Sequence, residues 1–188
     1  MKKISLLILF IALAVLLPAC EKAPAGEVTE TEAAEITEAK KEMITVVSNG
    51  KTEFEIIRSE ENDGARGRLF AAFEAEFNKR FGCKIESTFD IMAVLKPPAP
   101  DARELILGDT NREESAALKA KLEAAGGNRF GISVIGNKIA INGTSWYQCY
   151  LALNYFFETF TSTDENGPML ALEAGFEYIS EPSEDDAF

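Results

Sequence analysis

Histidine is absent from all 188 residues, which removes the commonest general base and the commonest metal ligand together. Catalytic triads and zinc sites built on imidazole are excluded with it. Cations are scarce as well: 19 Lys and Arg face 31 Asp and Glu, for a formal charge of -12. A chain this acidic is a poor partner for nucleic acid and for anionic lipid surfaces, and the excess charge serves solubility. No apolar run is long enough for a comfortable bilayer span. The conspicuous one, Ile4 to Leu17, falls short of the roughly 20 residues a membrane helix needs. Cysteine is limited to Cys20, Cys83 and Cys149, too few for a disulfide framework.

What is present at the amino terminus is ordered like a secretion signal. Lys2 and Lys3 precede the apolar run, and the run ends in Leu17-Pro18-Ala19-Cys20. These residues resemble the lipobox of bacterial lipoproteins, with Pro18 a less common filler. The resemblance implies that residues 1–19 are removed, that the sulfur of Cys20 carries a diacylglycerol, and that a further acyl chain follows. Two or three chains anchor a protein stably, whereas one does so marginally. The implied location is the extracytoplasmic face of a cell membrane. Loss of two lysines and no acids moves the charge from -12 to -12 - 2 = -14. For Cys83 and Cys149 the simpler expectation is two separately buried thiols. A bridge, which export permits, is the alternative.

Residues 20–42 are rich in Glu, Ala, Thr and Lys with little to bury, so they read as an acidic, disordered tether that lifts a domain off the surface. The domain is expected over residues 43–180, followed by an acidic tail, 181–188. Ile44 to Val47 and Phe54 to Arg58 flank Ser48-Asn49-Gly50-Lys51, a strong hairpin signal because Asn-Gly accepts positive φ. Asp63 to Phe81 reads as a helix with Leu69, Phe73 and Phe77 every fourth residue, ended by Gly82. Lys84 to Phe89 is a third strand, Lys96 to Pro100 a proline-stiffened loop, and Glu104 to Leu107 a buried strand. A second helix is expected over Arg112 to Ala125. A second hairpin follows around Gly136-Asn137, then a third helix from Ser145 to Phe160, a turn at Asp164 to Pro168, and one short irregular strand in Met169 to Ile179. The order predicts an α+β domain, a mixed or antiparallel sheet with helices packed on one face.

Candidate chemistry is thin. Gly108-Asp109-Thr110-Asn111-Arg112 lies at a strand-to-helix junction, where binding loops concentrate. Asn111 and Arg112 are candidate donors to a sugar hydroxyl or carboxylate. Equally, Thr110-x-x-Glu113 and Asn111-x-x-Glu114 fit capping boxes. The third helix is apolar almost all round, so it is either buried on several sides or exposes Trp146, Tyr147 and Tyr150 as a docking or sugar-stacking surface. Carboxylates are abundant, but none sits in an apolar context that would raise its pKa. Asp164-Glu165-Asn166-Gly167 lacks EF-hand spacing and reads as a turn. No metal or cofactor is expected.

Glu104 to Arg112 (ELILGDTNR), with Gly131-Ile132-Ser133-Val134 and Lys138 to Gly143 (KIAING), resembles one accessory domain. It is the non-catalytic α+β domain that precedes the barrel in family 20 hexosaminidases and family 67 α-glucuronidases, and the likeness covers most of residues 43–180. Two departures stand out. Thr144-Ser145-Trp146-Tyr147 replaces the usual small residues after Gly143, and no barrel follows by Phe188. The catalytic carboxylates of those hydrolases belong to the barrel, so none carries over. The resemblance implies a fold and a loose association with carbohydrate systems. The expected function is a membrane-anchored, non-catalytic binding module of the cell envelope with a glycan or an envelope protein as partner. The alternative is a regulatory or interaction protein docking through the aromatic helix.

Overall fold

Ile56 and Ile57 are adjacent in one strand and both fully buried. Successive strand residues point to opposite faces, so this strand is covered on both sides. Leu105, Ile106 and Leu107 repeat the pattern. Strands without a wet face belong inside a parallel sheet with cover on each side, and that is what the chain builds. The structure, a computed structural model, describes residues 41–60, 64–92, 97 and 99–184. Cys20 and the tether to residue 40 lie outside the described residues.

The strands are β1 (Met43–Val47), β2 (Glu55–Arg58), β3 (Glu86–Phe89), β4 (Glu104–Leu107), β5 (Phe130–Ile135), β6 (Lys138–Gly143), β7 (Thr161–Asp164), β8 (Gly167–Glu173) and β9 (Glu177–Ile179). The helices among the described residues are α1 (Gly64–Phe81), α2 (Glu113–Ala125) and α3 (Trp146–Phe160). A six-stranded sheet runs in the order β3-β2-β4-β6-β5-β9, and a three-stranded sheet in the order β1-β8-β7. In the larger sheet β3, β2, β4 and β6 are parallel, while β5 is antiparallel to both β6 and β9. The class is α+β with a mixed sheet, as the element order implied.

One detail of that expectation is corrected. Helices cover both faces of the sheet. Phe70, Phe73, Phe77 and Phe81 of α1 and Leu153, Phe156 and Phe157 of α3 share a core with Ile56, Leu105, Leu107, Ile139 and Ile141. The alternate strand residues, Ile57, Ile106 and Ala140, pack instead with Leu118 and Leu122 of α2. Phe73 and Phe157 stack with centroids 4.7 Å apart and lock α1 against α3. Val46, Val47, Leu170 and Leu172 of the small sheet join this first core.

The predicted first hairpin is also corrected. The turn forms, with Asn49 and Gly50 at φ 54° and 64° and reciprocal backbone bonds between Ser48 and Lys51. Its flanking strands then part. β1 pairs antiparallel with β8 in the small sheet, and β2 enters the large one between β3 and β4. Turn chemistry is local, whereas the doubly buried Ile56-Ile57 pair is satisfied only inside the larger sheet. The hairpin around Gly136-Asn137 forms as expected between β5 and β6. Met169 to Ile179 holds two strands, β8 and β9, in different sheets, and the exposed Thr-Ser-Thr-Asp of β7 gave no apolar signal. Asp164 to Gly167 is the β7–β8 turn, where Asp164 Oδ1 accepts the Asn166 N–H at 2.7 Å. Beyond Ser180 the chain still packs on the domain through a bridge between Ser183 and Asn128.

Cys83 and Cys149 are free thiols, Cys149 buried and Cys83 half-buried. Burial pushes the Cys83 thiol above its usual pKa, which leaves it less reactive. Among the described residues, no helix is long and apolar enough to cross a membrane.

Candidate functional site

The parallel strands set up the site. The chain leaves β2 toward α1 on one face of the sheet and leaves β4 toward α2 on the other. Loops that diverge in this way open a crevice at the carboxyl ends of the strands, where ligands of open α/β sheets bind. Here that crevice is a cavity of about 400 Å³ lined by Ser59 and Glu60 after β2, Asp90 and Ile91 after β3, and Asp109, Thr110 and Asn111 after β4.

Asp90 ties the three loops together. Its N–H extends the β2–β3 ladder to Arg58 O at 2.9 Å. Its Oδ2 accepts the Asn111 N–H at 2.9 Å, its Oδ1 accepts the Glu60 N–H at 3.4 Å, and its carbonyl accepts Asn111 Nδ2 at 2.9 Å. A carboxylate so engaged by backbone donors is an architectural group. Thr110 Oγ1 accepts the Arg112 N–H at 3.2 Å, and Ser115 Oγ accepts the Thr110 N–H at 3.0 Å while donating to Gly108 O at 2.8 Å.

Asp109 forms the wall between this cavity and a second, of about 240 Å³, lined by Arg66, Lys119, Glu123, Asn142 and Thr144 among others. Its Oδ1 accepts Asn142 Nδ2 at 2.7 Å and its Oδ2 accepts Lys119 Nζ at 3.0 Å, with Arg66 Nη1 3.7 Å away. Partial burial acts to raise its pKa. The hydrogen bonds from Asn142 and Lys119 and the charges of Lys119 and Arg66 outweigh it, and the carboxyl is held below its usual range. Gly143 lets α3 begin immediately beside β6: a Cβ there would sit 2.4 Å from Cys149 N.

The predicted residues divide. Asn111 lines the crevice. Arg112 is turned inward, only 7 % exposed, with Nε and Nη2 on the fully buried Glu104 at 2.9 to 3.2 Å and Nη1 on Asn111 Oδ1 at 3.1 Å. Lys138 Nζ reaches the same carboxylate at 3.8 Å. Neither capping box forms: the N-cap of α2 is Arg112 itself, without a side-chain cap bond, and Arg112 takes both capping oxygens, Thr110 Oγ1 with its N–H and Asn111 Oδ1 with Nη1. Trp146 and Tyr150 are exposed by 39 % and 44 %, and half-buried Tyr147 touches both rings at centroid distances of 5.9 and 6.1 Å. The three aromatics thus form one surface patch on α3, while Cys149, Ala152, Leu153, Phe156 and Phe157 carry its buried side. Sequence reasoning missed Glu60, Asp90 and Glu104. For Glu60 and Asp90 the available signal was an acidic residue close after a short strand, meaningful only once those strands are known to be parallel, whereas Glu104 opens β4 and gave no such signal. Among the described residues no cluster of Cys, Asp or Glu is arranged to hold a metal ion.

No family model matches the chain, and no curated protein matches it. Of solved structures, that of CpGH84D is similar with a TM-score of 0.41 at 16% sequence identity, over 79% of this chain and 24% of that one. The chain therefore spans about a quarter of the length of that protein.

Proposed function

We propose that the chain is a non-catalytic binding module, held by a lipid on Cys20 at the extracytoplasmic face of a cell membrane, that takes a glycan in the crevice at the carboxyl ends of β2, β3 and β4. The observation that carries this reading is the lining of the crevice. Carboxylates, an amide and hydroxyls from three loops converge there beside the apolar Ile91, and no cation is among the described lining residues. Such groups exchange hydrogen bonds with hydroxyls and suit a polyol better than an anion or an apolar molecule. The non-catalytic reading draws on the state of two of the acids. A general acid keeps its proton until it is needed, whereas the Asp109 carboxyl is held below its usual range and both oxygens of Asp90 serve backbone donors, which counts against either as a general acid. The resemblance of ELILGDTNR and KIAING to an accessory domain of glycan-processing enzymes points the same way.

A glycan array probed with the full chain tests the reading. Binding is expected, and Asp109→Asn should weaken it by about tenfold, as loss of a charge-assisted hydrogen bond does, with a modest loss of thermal stability from the broken Lys119 and Arg66 pairs. Absence of binding to any glycan would overturn the proposal. A second reading, docking of an envelope protein on α3, is favoured by the contiguous exposure of Trp146 and Tyr150.

A further inference from the structure

Glu104 is fully buried at the start of β4 and Arg112 is buried beyond its end, so the guanidinium reaches back along the strand to the carboxylate. Nε and Nη2 hold Glu104 at 2.9 to 3.2 Å. Burying two charges costs desolvation that their attraction only partly offsets, so an apolar pair of similar size would serve stability as well. An apolar pair would not reach the crevice. Arg112 does: its remaining arm, Nη1, donates to Asn111 Oδ1 at 3.1 Å, and Asn111 lines the cavity. On its other side the Asn111 amide donates from Nδ2 to Asp90 O at 2.9 Å. An amide bonded at both its oxygen and its nitrogen is fixed against rotation and flipping. Among the described residues it keeps one N–H and one oxygen lone pair uncommitted.

We propose that Glu104 and Arg112 are positioning residues of the crevice: the buried pair holds the Asn111 amide in the one orientation that offers a ligand hydroxyl both a donor and an acceptor, without touching the ligand itself. This rests on the glycan reading of the crevice. The bonds run from Glu104 through Arg112 and Asn111 to Asp90, and so they also set the spacing of the walls after β3 and β4. Lysine at position 112 keeps a charge for Glu104 but lacks the planar fork that serves Asn111 at the same time.

The test compares the full chain with Arg112→Lys and with the double variant Glu104→Leu/Arg112→Leu, reading hydrogen exchange and affinity for a glycan bound on the array. Affinity is expected to fall about tenfold in both, as for loss of a charge-assisted hydrogen bond. The Asn111 N–H, which donates to Asp90 Oδ2, should exchange about tenfold faster, while the amides of β2 and β4 keep their wild-type protection. A pair that served stability alone would speed exchange in the strands as well. Where the leucine pair fails to fold, Arg112→Lys decides. Unchanged affinity in a folded variant, or exchange that rises equally in strands and loop, overturns the inference and leaves the glycan reading standing. A wild-type chain that binds no glycan removes both.

Discussion

The two faces of the six-stranded sheet are built on different principles. The face under α1 and α3 is a phenylalanine core continuous with the small sheet, closed by ring contacts such as Phe73 on Phe157 and Phe77 on Phe81. Among the described residues the apolar cluster under α2 is the smaller one, Ile57, Ile106, Ala140, Leu118 and Leu122 with Ile179 against them, and this face adds the Glu104–Arg112 pair with Lys138 beside it. Apolar burial is non-directional and sets how stable the fold is. A buried ion pair costs much of what it gains in desolvation, but it tolerates one geometry only. The thin face therefore trades stability for placement. Arg112 stands immediately before α2 and also holds Asn111, so the pair fixes the loop that forms one wall of the crevice.

The largest expected effect comes from emptying the thick face. Phe77→Ala should cost about 4 kcal/mol in denaturant unfolding, the usual range for a fully buried aromatic. A loss below about 1 kcal/mol would mean that this face is not the main store of stability. Next comes the thin face. Glu104→Ala strands the Arg112 charge and should cost about 3 kcal/mol, whereas exchanging both partners for leucine should return stability to within about 1 kcal/mol of wild type. If the double variant were as unstable as the single one, the pair would be a source of stability and the contrast between the faces would fail. The smallest effect belongs to the outer side of α3. Trp146→Ser with Tyr150→Ser should change stability by less than about 1 kcal/mol, because both rings are already partly in water. Unfolding of that double variant would show the patch to be core and would end its candidacy as a docking surface.

Much of this contrast was legible beforehand, and the misreadings share a cause. The four-residue recurrence of phenylalanine gave α1, and the glycine-opened alternation of β5 and β6 gave their hairpin, since both depend on neighbours in sequence. Asn49-Gly50 gave the turn but not the strand partners, because partners are decided by which strands are buried on both sides. The runs Ile56-Ile57 and Leu105-Ile106-Leu107 already carried that information: a strand apolar on consecutive residues has no wet face. Read so, they call for helices on both sides of the sheet and a crevice at its carboxyl edge. Asn111 was found from its loop, but Glu60 and Asp90 are brought to it from distant segments by parallel pairing. Arg112 looked like a ligand donor because its partner, Glu104, opens a strand that reads as purely apolar.

The parting of β1 and β2 at the Asn49-Gly50 turn also has a mechanical side. A pull arriving along the chain ahead of Met43 meets β1 first, and β1 is held by its antiparallel ladder to β8 in the three-stranded sheet. The crevice belongs to the other sheet, on the far side of the Ser48–Lys51 turn. Because Val46 and Val47 of β1 are buried in the same core as Ile56, Leu105 and Leu107, a load on β1 is shared with the strands that carry the crevice.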